Sequence, residues 1–143
     1  MITHNITYRV IYGDTDKMGI AYHSNYLRWF EIGRTEIFRH LGLTYKEIEK
    51  GGIFLPVSEV YCKYLYPAHY DDVLIIETSL DTSVKGSMKF NYRILSEDGN
   101  TMLAKGQTRH AFTDRNGRVV RPPKLLIELI AKNVSSQLGT WTN

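Results

Sequence analysis

The stretch Asn25–Leu41 decides the fold, and its sequence is NYLRWFEIGRTEIFRHL. Its apolar residues recur at the spacing of one helix face. They are Tyr26, Phe30, Gly33, Ile37 and Leu41, with Leu27, Trp29 and Phe38 beside them. We expect Ser24 or Asn25 to be the N-cap and Gly42 to end the helix. A stripe this wide and aromatic predicts burial against a sheet.

Five strands are expected around this helix, because runs of β-branched and aromatic residues flank it. They cover residues 6–12, 53–66, 73–84, 87–96 and 101–113. A short helix is expected over 45–50 and a closing amphipathic helix over 124–138. Asp98-Gly99 and Asn116-Gly117 predict tight turns, so neighbouring strands should be antiparallel. The economical packing is an α+β domain in which one antiparallel sheet curls around the long helix.

Length and composition indicate one globular domain over residues 1–143, with 43% apolar and 23% charged residues. The longest apolar run, 73–76, is far too short for a membrane helix. Since no basic-then-apolar segment opens the sequence, a cytoplasmic location is expected. The one cysteine, Cys62, cannot form an internal disulfide and is expected to be a buried structural residue.

The charge is unevenly distributed along the chain. Residues 105–143 hold seven basic and two acidic residues, whereas 52–104 hold four basic and seven acidic ones. Such a segment is either a solvated basic face or a site for an anionic partner. The sequence shows neither a recognition-helix pattern nor an aromatic RNA-binding motif, so no nucleic-acid partner is expected.

The segment between the first strand and the long helix, residues 12–26, is suited to acyl chemistry. A helix N-terminus has free N–H groups that stabilise a developing oxyanion. Asp16 is close enough in sequence to attack a carbonyl or to activate a water molecule. Asp14 and Asp16 are equally compatible with ordinary turn residues. Glu31, a rival carboxylate on the helix, is expected to pair with Arg28 or Arg34. The histidines lack metal-ligand spacing, so no metal site is expected.

The string Asp14-Thr15-Asp16-Lys17-Met18-Gly19, followed by Tyr22-His23-Ser24-Asn25-Tyr26, resembles the 4-hydroxybenzoyl-CoA thioesterase family. The shared pattern is D-x-D-x-x-G-(x)5-N-Y. Within that family the chain is most similar to the branch of small bacterial acyl-CoA thioesterases associated with the Tol–Pal cell-envelope system. The resemblance implies a hot-dog fold, a homodimer or homotetramer, and an acyl-CoA substrate. It implies no cofactor, since coenzyme A is part of the substrate.

The resemblance also implies roles for single residues. Asp16 takes the place of the catalytic carboxylate, and the backbone N–H of His23 that of the donor to the thioester oxygen. Asp14 becomes a structural loop residue, and Lys85 and Ser87 match the segment that contacts coenzyme A phosphates. The acyl pocket is expected between subunits. Its candidate lining residues are Tyr22, Met18, Phe54 and Tyr64, the last two more simply explained as packed strand residues.

Several alternatives stay open at the level of sequence. Asp16 is either a nucleophile or a general base, and the thiol carrier is either coenzyme A or an acyl carrier protein. A hot-dog hydratase or dehydratase is disfavoured, because six residues separate Asp16 from His23 where that pattern has four. The remaining hypothesis is a non-catalytic protein that binds acyl-CoA or acyl carrier protein.

Overall fold

In a computed structural model of the chain, which describes residues 1–141, five strands form one antiparallel sheet. The strands are β1 (Ile2–Arg9), β2 (Val57–Tyr64), β3 (Val73–Leu80), β4 (Ser87–Ser96) and β5 (Met102–Ala111). The helices are α1 (Asn25–Leu41), α2 (Tyr45–Lys50) and α3 (Lys124–Trp141). The strand order is β1-β3-β4-β5-β2. The expected α+β hot-dog arrangement is therefore confirmed.

The sheet bends around α1, which buries its aromatic stripe completely. Trp29, Phe30, Ile37 and Phe38 have no exposed surface. Phe30 stacks on Tyr92 of β4 with ring centroids 4.3 Å apart. The alternating burial along β3 shows that one face of the sheet packs on this helix while the other is more open. α3 adds Leu126 and Ile130 to the same core.

Several expected boundaries were wrong by a few residues. β1 begins at Ile2 and ends at Arg9, whereas we expected residues 6–12. The reason is that β1 pairs along its whole length with β3, from Ile2 opposite Leu80 to Arg9 opposite Val73. The chain then makes one turn of 3₁₀ helix at Tyr12–Asp14. The strands expected over 53–66, 73–84 and 101–113 are also shorter, and α3 runs three residues beyond 138.

The limits of α1 were correct, and Ser24 occupies the predicted N-cap position but does not cap the helix with its side chain. Ser24 already has helical backbone angles and its side chain makes no capping hydrogen bond. The first turn is closed instead by the Asn25 N–H, which donates to the Tyr22 carbonyl at 3.0 Å. Gly42 ends the helix with φ of 92°, a left-handed conformation that favours glycine. None of the helices within residues 1–141 has an apolar stretch long enough to cross a membrane.

Candidate active site

A small hairpin joins β1 to α1 and contains the sequence motif. Thr15 and Ala21 pair antiparallel. The Asp16 N–H donates to the Ile20 carbonyl at 2.9 Å, and the Tyr22 N–H donates to the Asp14 carbonyl at 2.8 Å. Gly19 makes the turn with φ of 75°. Asp16 therefore lies two residues along the hairpin, roughly 7 Å, from the Asp14–Tyr22 pair that leads into the helix.

Asp14 links this hairpin to β1 and α1 through hydrogen bonds and an ion pair. Its carboxylate is fully buried and accepts the Tyr8 hydroxyl at 2.7 Å and the Ile11 N–H at 3.0 Å. It also forms an ion pair with the guanidinium of Arg28 on α1. Its carbonyl accepts the side-chain amide of Asn25 at 2.8 Å. Asp14 is thus a structural loop residue, and the Asn of the motif ties that loop to the first turn of α1.

The carboxylate of Asp16 is exposed and only partly occupied by hydrogen bonds. Its Oδ1 accepts the N–H groups of Met18 at 2.8 Å and Ile20 at 3.2 Å. Within residues 1–141, Oδ2 has no hydrogen-bond partner. Backbone donors therefore orient one oxygen and leave the other available to a substrate or a water molecule.

The start of α1, which follows this hairpin in the chain, presents backbone N–H groups. In the part of the chain that the structure describes, the N–H groups of His23 and Ser24 make no hydrogen bond. The partial positive charge of a helix N-terminus adds to their attraction for an anion. The arrangement combines a carboxylate with two amide donors, which is the combination that an acyl-transfer reaction requires.

An aromatic groove of about 280 Å³ lies beside these donors. Its walls are formed by Ala21, His23, Tyr26, Tyr64, Leu65, Tyr66 and Pro67. The Tyr64 hydroxyl donates to the His23 carbonyl at 2.8 Å. Burial, with a hydrogen bond to Cys62 second, raises the pKa of Tyr64 to about 12. Tyr64 is therefore more than the packed strand residue that we expected. No local pattern could have indicated its contact, because 41 residues separate the two partners.

The other candidate residues do not all lie at this groove. Tyr22 is half-exposed and its ring lies 4.3 Å from that of His23, whereas Met18 is 81% exposed. Phe54 lies in a separate groove of about 600 Å³ together with Tyr45 and Pro56. Cys62 is a free, half-buried cysteine, and burial raises the pKa of its thiol.

Lys85 and Ser87 lie far from Asp16 of the same chain. Ile94, Ala104 and Tyr64 form one row across β4, β5 and β2, and Tyr64 contacts His23. Ser87 begins β4, seven residues before Ile94, so it lies about 23 Å away along the strand. Lys85 is exposed in the loop before it. A single chain does not bring these two residues to the site.

The expected partner for Glu31 was wrong. Arg28 pairs with buried Asp14, and Arg34 donates to the Tyr92 hydroxyl at 3.2 Å. Asp14 is fully buried and needs a cation more than exposed Glu31 does. In residues 1–141, no three His, Cys, Asp or Glu side chains are grouped as metal ligands.

Comparison with known proteins agrees with this geometry. The sequence profile of the Thioesterase-like superfamily matches residues 10–132. The acyl-CoA thioester hydrolase YbgC of Escherichia coli is 35% identical over 100 residues, which cover 69% of this chain and 73% of the relative.

Two solved structures show the same architecture over most of the chain. A hypothetical protein from Aquifex aeolicus superposes with a TM-score of 0.82 at 33% identity and covers 89% of this chain and 98% of its own. A DHNA-CoA thioesterase from Staphylococcus aureus superposes with a TM-score of 0.86 at 25% identity, covering 98% and 95%.

Proposed function

This chain belongs to the Thioesterase-like superfamily, and we propose that it hydrolyses an acyl-coenzyme A to the free acid and coenzyme A. Its relatives named as a thioester hydrolase and a thioesterase make it a thioester hydrolase. One observation carries the finer proposal: the hairpin that leads into α1 contains Asp16, and within residues 1–141 one oxygen of this carboxylate and the N–H groups of His23 and Ser24 have no hydrogen-bond partner.

In the proposed reaction the backbone N–H of His23 donates to the thioester carbonyl oxygen. Negative charge grows on that oxygen as the carbonyl is attacked, so the donor stabilises the transition state more than the ground state. The helix N-terminus contributes in the same direction. The imidazole of His23 is not required in this step, because the backbone amide makes the contact, and catalysis by the side chain is the minor alternative.

Asp16 can act in either of two ways, and the bonds and charges balance in both. As a nucleophile, Asp16 bonds to the carbonyl carbon, the C–S bond breaks and coenzyme A leaves as the thiolate; water then hydrolyses the anhydride. As a general base, it takes a proton from water, the resulting hydroxide attacks the carbonyl, and coenzyme A leaves in the same way. A first-turnover excess of thiol over free acid would identify the covalent route.

We also propose that the working enzyme is a homodimer or a homotetramer. β2 is an edge strand, and Val57, Val60 and Tyr61 on it are about half-exposed. An exposed apolar edge strand is a ready template for pairing with another chain. Tyr64 ends this strand and contacts His23, so pairing at β2 would bring a second subunit to the groove. Tyr22 would contact the acyl group, and Lys85 and Ser87 of another subunit would contact the coenzyme A phosphates.

The test is thiol release from a panel of short, long and aromatic acyl-CoA substrates. Turnover of any member supports the proposal and identifies the acyl class. Tight binding without turnover would favour a non-catalytic binding protein, and formation or loss of an enoyl thioester would indicate a hydratase or dehydratase. Turnover only of acyl carrier protein thioesters would change the thiol carrier but keep the chemistry.

A further inference from the structure

We propose that Tyr64 is a positioning residue for this reaction, and that its hydroxyl fixes the His23–Ser24 peptide so that Ser24 supplies a second N–H to the thioester oxygen. The inference rests on the proposed function, because it concerns the groups that stabilise the oxyanion. Tyr64 itself acts through the peptide and touches no reacting atom.

The contact joins the end of β2 to the beginning of α1. The Tyr64 hydroxyl donates to the His23 carbonyl at 2.8 Å, and the same oxygen accepts the Tyr26 N–H at 3.3 Å. The hydroxyl bond is the shorter of the two. The ring of Tyr64 packs edge-on against Tyr26 at 4.9 Å and against His23 at 6.1 Å. Two aromatic contacts therefore hold the hydroxyl in place.

Fixing the carbonyl oxygen also fixes the neighbouring N–H. A peptide unit is planar, so the His23 oxygen and the Ser24 hydrogen turn together. Without the hydroxyl, the longer bond from Tyr26 would be the one remaining hydrogen bond to the His23 oxygen among the described residues. His23 and Ser24 are the two middle residues of the turn closed by Asn25 and Tyr22, and their N–H groups have no partner within residues 1–141. Consecutive free donors at a helix start converge on one anion.

The hydroxyl has a second effect on the same peptide. Donation to an amide oxygen polarises the amide and strengthens its N–H as a donor, by about 10–30% per bond. Because the pKa of Tyr64 is raised to about 12, the hydroxyl keeps its proton throughout the neutral pH range. The Ser24 N–H is therefore expected to bind the oxyanion more strongly than an isolated amide would.

The chain offers a matched control for this role. Tyr66 lines the same groove and is more exposed than Tyr64, 61% against 44%. In the described part of the chain its hydroxyl makes no hydrogen bond. Replacing either tyrosine with phenylalanine removes one hydroxyl and leaves the ring in the groove.

The experiment compares Tyr64→Phe and Tyr66→Phe with the unmodified protein, on the acyl-CoA that is hydrolysed fastest. We expect Tyr64→Phe to lower kcat about tenfold and to change KM less than twofold, as for an interaction made mainly in the transition state. The kcat–pH profile should keep its shape, because the substitution removes no charged group and leaves Asp16 in place. Tyr66→Phe removes a groove hydroxyl but no contact to the peptide, so it should lower kcat clearly less than Tyr64→Phe does.

Three results would overturn the inference. An unchanged kcat in Tyr64→Phe would show that the contact is not needed. A rise in KM alone would make Tyr64 a groove residue that binds substrate, and an equal loss in Tyr66→Phe would point to the groove as a whole. If the unmodified protein hydrolyses none of the substrates, the proposed function is wrong, and this inference, which rests on it, is wrong as well.

Discussion

Two carboxylates that look alike in the sequence have different environments in the structure. Asp14 is fully buried and its oxygens are occupied by Tyr8, Ile11 and Arg28. Asp16, two residues later, is exposed, and one of its oxygens has no hydrogen-bond partner among the residues that the structure describes. The first carboxylate stabilises the loop, and the second is available for chemistry. Their environments decide this difference, because their side chains are identical.

A second residue-scale consequence concerns pH. His110 is fully buried, with ring nitrogens 3.0 Å from the Leu55 carbonyl and 2.9 Å from the Thr108 hydroxyl. Burial lowers its pKa from 6.5 to about 4. Between these values the unfolded chain binds a proton that the folded chain does not, so stability falls as the pH falls through this window. The loss from pH 7.5 to 5 should be about 2 kcal/mol.

Denaturant unfolding of the unmodified protein and of His110→Gln at both pH values measures this effect. His4, whose pKa is also lowered by burial, contributes in the same direction. The quantity to compare is therefore the change in the free energy of unfolding between the two pH values, in the unmodified protein and in the variant. The variant should lose about 2 kcal/mol less than the unmodified protein over this range. An equal change in the free energy of unfolding in the two proteins would show that folding does not lower the pKa of His110.

Among the secondary-structure elements, α1 packs closely on β5 at Gly106. A Cβ at Gly106 of β5 would lie 2.5 Å from the Tyr61 carbonyl oxygen and 2.6 Å from the Phe30 ring. Neither a strand carbonyl nor a buried ring moves easily. Gly106→Ala should therefore destabilise the protein by about 1–3 kcal/mol.

The measurement is the free energy of unfolding of Gly106→Ala beside that of Gly86→Ala. A Cβ at Gly86 meets nothing within 4 Å, so this control should change stability little. A Gly106→Ala protein as stable as the control would mean that α1 is not packed tightly on β5.

The elements differ in how well the sequence predicts them. α1 was predicted to the residue, because its stripe from Tyr26 to Leu41 has a clear helical period and Gly42 ends it. β1 was misplaced because its limits follow the length of β3, its partner, and not its own composition. His4 illustrates this: a polar residue in a strand looks like a boundary, yet it stacks on His40 of α1 at 4.4 Å.

For the whole molecule, the proposed assembly depends on the edge strand β2. Val60 is 52% exposed on this edge strand. A lysine there blocks pairing by placing a charge in an apolar interface. In light scattering, the unmodified protein should have two or four times the 16.5 kDa of one chain, and Val60→Lys should shift towards a single chain.

Leu125→Lys is the matched control, because Leu125 is 61% exposed on α3 and lies away from β2. It should leave the mass unchanged. A mass of one chain for the unmodified protein would contradict the proposed assembly, and so would a Val60→Lys variant that keeps the full mass.

Much of the candidate site could be located from the motif, but its long-range contacts could not. The order Asp-x-Asp, turn glycine and helix start placed Asp16 and His23 on one hairpin junction, because all of these contacts are local. The Arg28–Asp14 pair was missed, since buried Asp14 cannot be distinguished from exposed Glu31 in the sequence. The Tyr64 contact depends on β2 pairing with β5, which no local pattern indicates.

The most direct test of the proposed role of Asp16 is the rate of thiol release by Asp16→Asn, measured on the best acyl-CoA substrate. The amide keeps the size and the Oδ1 contacts to Met18 and Ile20 but is neither a nucleophile nor a base. Glu97→Gln, an exposed carboxylate changed in the same way, is the control. We predict that Asp16→Asn folds normally and loses at least about 100-fold in kcat, while Glu97→Gln keeps full activity. An Asp16→Asn variant that hydrolyses the substrate as fast as the unmodified protein would contradict the account.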